Sequence, residues 1–143
     1  MGMKVFHVGV KGVIVVDGRV LLLKRENRWS GVFWDVPGGR MEGGEEIEET
    51  LRRELREELP SIGRLEVGEL IHAARVPTDE AIGLVLLYYR VVAEVPTVEL
   101  SDEHIGYTWA GIDDLPALER GEGGVATFEY TLGAVRRALA TSG

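Results

Sequence analysis

The chain contains no cysteine, which excludes a disulfide framework, a thiolate metal site and a thiol nucleophile. Long apolar runs are also missing. The longest, Leu84 to Tyr89, falls far short of the roughly 20 residues that a membrane-spanning helix needs. The first residues show no basic region, apolar stretch and cleavage site in the order of a signal peptide. Phe6 stands where a myristoylation pattern after Gly2 would want Ser or Thr. A soluble, cytoplasmic protein without a membrane partner is expected. Basic charge is scarce, with 16 Lys and Arg against 24 Asp and Glu for a net charge of −8. The acidic residues are spread along the chain and no basic stripe is present, so polymeric DNA or RNA is not an expected partner. A phosphorylated small molecule remains compatible if a bound cation reverses the local field. No Gly-Lys-Ser/Thr follows any glycine-rich turn, which sets aside a P-loop.

What is present suggests one compact domain over residues 1–143, since 45% of the residues are hydrophobic. Val5 to Val16 and Arg19 to Arg25 are β-branched and aliphatic runs joined at Asp17-Gly18, a strong two-residue hairpin signal. Leu65 to Val76 and Ala81 to Val95 read as two further strands, separated at Pro77-Thr78-Asp79. Tyr107 to Ala110 is a short strand candidate, and Ile112 to Leu115 starts a helical turn with Asp as its cap. Phe128, Leu132, Val135 and Leu139 recur at helical spacing and predict a final amphipathic helix. Gly121-Glu122-Gly123-Gly124 reads as a mobile loop.

The most informative segment is Gly39 to Ser61. At about 100° per residue, Ile47, Leu51, Leu55 and Leu59 form one apolar stripe. Glu54 and Glu58 fall at its edge and Glu57 one step further round. Glu54 is a helical neighbour of both Glu57 and Glu58, and each like-charge pair costs roughly 0.2–0.5 kcal/mol. On this reading no basic residue neutralises the trio: Glu48 pairs with Arg52, Glu49 pairs with Arg53, and Glu45 and Arg56 face solvent. An unneutralised carboxylate cluster beside a buried stripe makes physical sense if it holds a hard divalent cation such as Mg²⁺. A solvated acidic face is the competing reading. Upstream, Asp35-Val36-Pro37-Gly38-Gly39 reads as a strand end and a tight turn. Its glycines allow close backbone approach to a metal or phosphate.

The spacing Gly, five residues, Glu, seven residues, Arg-Glu, aliphatic, any, Glu-Glu resembles the signature of the Nudix hydrolases. Gly39, Glu45, Arg53, Glu54, Leu55, Glu57 and Glu58 occupy its positions. Pro60 and Ser61 depart from it, standing where the family has Gly and an aliphatic residue. Proline ends a helix, so the departure concerns the helix exit, where Ile62 and Gly63 supply substitutes.

The resemblance implies an α+β fold, a Nudix-like α/β/α sandwich with a mixed central sheet. It implies a pyrophosphohydrolase that cleaves a nucleoside diphosphate linked to another moiety by attack of water, with Mg²⁺ or Mn²⁺ as cofactor. By position, Glu54 and Glu58 are implied as metal ligands, with Glu57 a third ligand or the base and the carbonyl of Gly38 or Gly39 a further one. Arg53 would orient the carboxylates. Glu103, in the loop Ser101-Asp102-Glu103-His104, is the candidate base outside the signature. His104 reads as a solvated loop residue, although its pKa would suit a base; His7 and His72 read as structural. Lys24 and Arg25 are candidates for the substrate phosphates, with Arg28 a further one. Trp29, Phe33 and Trp34 could stack on a base, although Trp34 reads as core. A homodimer is also implied. The competing readings are a non-catalytic module of the same fold that senses a nucleotide metabolite, and an isoprenoid diphosphate isomerase. Retention of every signature carboxylate speaks against the first, and the missing cysteine against the second.

Overall fold

The computed structural model describes residues 2–141; the outermost positions of the expected 1–143 domain lie outside them. The architecture is α+β, a mixed curled sheet with helices on both faces. The strands are β1 (Val5–Val16), β2 (Arg19–Asn27), β3 (Gly31–Asp35), β4 (Gly38–Arg40), β5 (Leu65–Arg75), β6 (Ile82–Ala93), β7 (Gly106–Ala110) and β8 (Ala126–Thr127). The helices are α1 (Ile47–Glu58), α2 (Leu115–Arg120) and α3 (Glu129–Thr141). The main path runs β5-β6-β1-β2-β3-β8, with β4 added to β1 and β7 added to β2.

The hairpin between β1 and β2 turns at Asp17 (φ 50°) and Gly18 (φ 72°), with Val16 opposite Arg19. Both central residues are left-handed, as a two-residue turn matched to strand twist requires. β1 is the organising strand. Val5–Ile14 pairs in parallel with Ile82–Val91 of β6, while Gly9–Lys11 pairs antiparallel with β4. β3 runs parallel to β8, a pairing that local sequence does not announce.

Alternation along the strands divides the core in two. Val10, Ile14, Leu21 and Leu23 pack against Leu51 and Leu55 of α1 and Leu59 at its C-terminal cap. Val13, Val20, Leu22, Leu86 and Tyr88 pack against Leu132, Val135 and Leu139 of α3. Each fully buried aliphatic side chain contributes about 1.5–3 kcal/mol. The expected stripe on α1 holds for its last three members, but Ile47 is 38% exposed because it opens the helix beyond the sheet's cover. α1 ends at Glu58, Leu59 N–H closes on the Leu55 carbonyl at 2.9 Å, and Ile62 is buried in the same cluster. The glycine-rich stretch after α2 forms a short 3₁₀ turn at Glu122–Gly124. No helix of the described residues is long and apolar enough to cross a membrane.

Candidate active site

The entry to α1 is held by a guanidinium. Arg53 grips Glu45 with two bonds, Nε to Oε2 at 2.7 Å and Nη2 to Oε1 at 3.0 Å. Its Nη1 reaches Glu54 Oε1 at 2.8 Å and lies 3.5 Å from Glu57 Oε2. Its Nη2 also donates to the carbonyl of Arg40. These contacts correct three expectations. The acidic trio does have a cation beside it, Arg53 itself, since a long side chain folds along its own helix to the adjacent residue. Glu45 does not face solvent: Arg53 and the buried Thr50 hydroxyl (2.9 Å) hold it, and the guanidinium pulls its carboxyl down to about 2. Glu49 does not pair with Arg53, because its carboxylate accepts the Glu46 N–H at 3.2 Å and closes the cap of α1. The expected Glu48–Arg52 pair is present at 3.1 Å.

Gly38 and Gly39 form β4, a strand on β1 rather than a plain turn, and β4 lies directly on α1. Gly38 N–H donates to Glu58 Oε2 at 2.7 Å. At Gly39 any Cβ would run into the Glu54 carboxylate, and at Gly38 into the β1 backbone at Val10 and Lys11. Gly38 is therefore required by close backbone approach, whereas a side chain at Gly39 would displace the Glu54 carboxylate. Glu58 is 3% exposed. Burial, only partly offset by Arg53, raises the pKa of Glu54 above the ordinary carboxylate range, and Glu58 and Glu57 push it the same way. Glu57 is largely exposed, its side chain at 59%.

The loop from β6 to β7 brings in two more groups. Glu58 Oε1 lies 3.1 Å from His104 Nε2. Among the described residues, Glu58, Glu103 and His104 have ligating atoms within 4.8 Å of one another. Glu103 thus reaches the signature helix from 45 residues downstream of Glu58. The reading of His104 as solvated is overturned: the side chain is 1% exposed, because the loop folds back onto the end of α1.

These carboxylates border a cavity of about 780 Å³, lined among others by Glu54, Glu58, Glu103, Gly38, Gly39 and Arg25. Arg25 reaches the cavity as expected, whereas its lining neighbours Lys11 and Asp35 have no role in the site assigned from the sequence. Lys11 is buried, with Nζ 3.0 Å from Asp35 Oδ2 and 3.4 Å from the Val36 carbonyl. Arg25 Nη1 meets the same Asp35 oxygen at 3.1 Å. A lone lysine inside the apolar run Val8 to Val16 was the available signal, since a buried charge demands a partner. Phe33, Phe128 and Tyr130 line the cavity as well, with Phe33 and Phe128 5.3 Å apart and tilted. Lys24 does not join this group: it alternates to the other side of β2 from Arg25 and sits over Trp34, 5.1 Å from the ring centre. Arg28 stacks near Trp29 on the exposed β2–β3 turn, where Trp29 is 86% exposed. Trp34 is partly buried against the core on the α3 side. His72 packs beside Tyr88, and burial lowers its pKa.

The chemistry suits a hard divalent cation: carboxylates of Glu54, Glu58 and Glu103 border one cavity, where Glu58 and Glu103 converge with His104. Residues 5–132 match the NUDIX domain family model. The chain is a Nudix hydrolase. It is thus a Nudix-type pyrophosphohydrolase, an enzyme acting on acid anhydrides. The nucleoside triphosphatase NudI of Escherichia coli is 34% identical over 110 residues, covering 69% of this chain and 77% of that protein. Among solved structures, a MutT Nudix hydrolase from Burkholderia pseudomallei superposes with a TM-score of 0.73 at 28% identity, covering 92% of this chain and 96% of that one. The MutT protein of Methanosarcina mazei Go1 shares the fold, with a TM-score of 0.78 at 24% identity over 96% of this Nudix chain and 95% of its own.

Proposed function

We propose that residues 1–143 work as a single domain that hydrolyses a nucleoside diphosphate linked to a further group, using Mg²⁺ or Mn²⁺. The observation that carries this reading is the convergence of Glu54, Glu58 and Glu103 on one cavity that also holds Arg25, Lys11 and aromatic rings. Glu54 and Glu58 hold the cation, with Glu57 beside them on the helix as third ligand or base and a carbonyl of Gly38 or Gly39 as a further donor. The chemistry such an ion supplies when bound is charge neutralisation at phosphate oxygens and a lowered pKa for water.

The residues of the chain do the rest. A water oxygen bonds to one phosphorus while the bridging P–O bond breaks, and the proton of that water passes to Glu103 or Glu57. Arg53 touches no substrate; its bonds to Glu45 and Glu54 keep Glu54 in place. Arg25 and Lys11, sharing one oxygen of Asp35, retain N–H donors for acceptors on the substrate. Phe33, Phe128 and Tyr130 supply apolar surface for a base.

A nucleoside triphosphate is the first substrate to test, given the name of the Escherichia coli relative. The test is a panel of nucleoside triphosphates, ADP-sugars and dinucleoside polyphosphates with Mg²⁺ or Mn²⁺, reading release of phosphate, pyrophosphate or nucleoside monophosphate. Turnover should require the metal and fall by about two orders of magnitude or more in Glu58→Gln or Glu57→Gln, equivalent to several kcal/mol of barrier. Full turnover in chelator, or wild-type rates in both variants, refutes the mechanism.

A further inference from the structure

The polar contacts of the β6–β7 loop with α1 centre on Glu58, while Val95, Val98 and Leu100 of the loop pack against the apolar cluster that holds Leu51 and Leu55. Ser101 N–H donates to the Glu58 backbone carbonyl at 3.4 Å, and His104 N–H closes the turn onto the Ser101 carbonyl at 3.2 Å. The His104 ring then meets the Glu58 carboxylate at 3.1 Å, with the two side chains 1% and 4% exposed. Glu58 has its other oxygen on Gly38 N–H at 2.7 Å. Each carboxylate oxygen is therefore engaged from a different element, and rotation about the terminal bond breaks one contact or the other.

The ring nitrogens are not equivalent. Nδ1 is buried without a partner. Burying an unpaired N–H is costly, and the hydrogen bond made by one ring nitrogen sets where the proton resides. Nε2 accordingly carries the proton toward Glu58. This geometry leaves His104 neither a base nor a contact for substrate, since Nδ1 has no access to solvent and Nε2 is occupied.

We propose that His104 is a positioning residue of the hydrolase. Its Nε2–H fixes the orientation of the Glu58 carboxylate, and the same contact pins the Ser101–His104 loop so that Glu103 arrives within 4.8 Å of the ligating atoms of Glu58 and His104. The signature helix and the base loop thereby meet at Glu58, through this side-chain contact and the Ser101 N–H bond to the Glu58 carbonyl. The inference rests on the reading of Glu58 as a cation ligand and Glu103 as a candidate base.

Two variants separate positioning from space filling. His104→Phe keeps a ring and removes the donor, whereas His104→Gln restores an N–H at similar reach. Partners that orient a metal ligand are typically worth about 10–100-fold in affinity or activity. His104→Phe should lose that much in kcat and in Mn²⁺ affinity measured by titration, with KM for the nucleotide unchanged. His104→Gln should recover most of both. Pulsed electron paramagnetic resonance of the Mn²⁺-loaded wild type should show no directly coordinated imidazole nitrogen. Wild-type kcat and Mn²⁺ affinity in His104→Phe, equal damage in His104→Gln, or a coordinated nitrogen each overturn the proposal.

Nitrogen-15 spectra of the metal-free wild type give a readout that depends on neither folding of a variant nor turnover. They should show His104 protonated at Nε2 and bare at Nδ1; the reverse assignment also overturns it. A wild type that neither binds Mn²⁺ nor hydrolyses nucleotides would defeat the functional reading, while these spectra still decide the contact with Glu58.

Discussion

Replacing Gly39 with alanine puts a methyl group where the Glu54 carboxylate lies. The strand cannot retreat easily, because β4 is bonded to β1 on its other side. Gly39→Ala is expected to lower kcat/KM and Mn²⁺ affinity at least tenfold, a loss of about 1.4 kcal/mol or more. Gly43→Ala, with open space around its Cβ, serves as the control and should change neither. Glu54 itself offers a stability test. Burial raises its pKa, so the fold disfavours the ionised form; the relative stability this gives is fully present below the unfolded-state pKa and lost as pH rises through the folded one. Glu54→Gln should therefore raise the melting temperature of metal-free protein at neutral pH, an advantage that shrinks as acid protonates the wild-type side chain. A lower melting temperature at neutral pH would show that the bond from Arg53 outweighs the burial penalty.

The part of α1 up to Arg53 and the loop before it act as one unit through Glu45 and Arg53. With the Glu45 carboxyl held down to about 2, its stabilising contribution is present above the unfolded value near 4.5 and disappears as pH falls toward 2. Acid titration followed by circular dichroism should show wild type losing stability across that interval more steeply than Glu45→Gln, which lacks this part of the dependence. Parallel curves would mean the pair is solvated and contributes nothing. The same segment shows what could be read in advance. The α1 stripe, the Asp17-Gly18 hairpin and the α3 spacing are local signals, and their elements formed there, although Ile47 is exposed at the start of α1 and Phe128 precedes α3 at the cavity. The partners of Arg53 and Glu49 were misjudged because spacing by four assigns each charge one neighbour, while the folded chain offered Glu45 and a cap. Lys11 with Asp35, and His104 with Glu58, join strands or loops distant in sequence, so no local pattern announces either partner, although the lone lysine in the apolar run Val8 to Val16 signals that Lys11 needs one. Pro37-Gly38-Gly39 carried a turn's composition yet became β4, because β1 had an unpaired edge at Gly9–Lys11 for it to fill.

Across the molecule, net charge is negative, and the buried Lys11 lies at the cavity, where it and the part-exposed Arg25 share Asp35. Removing divalent cations should leave the fold intact but less stable. A cation that binds only the native state adds about 2.7 kcal/mol at one hundred times its Kd. The melting temperature should climb with Mn²⁺ or Mg²⁺ concentration in wild type and stay flat in Glu58→Gln; a flat wild-type curve counts against cation binding at Glu58.

The parallel pairing of β1 with β6 has a further consequence, for biosynthesis. Val5 leaves the ribosome well before its partner Ile82, which follows only after the signature helix has been made. The nascent chain must therefore carry α1 with one flank of its supporting strand bare, a period in which apolar surface is open to aggregation or to chaperones. Glu103 and His104 emerge later still, so the enzyme acquires its carboxylate pocket only once the β6–β7 loop has been made.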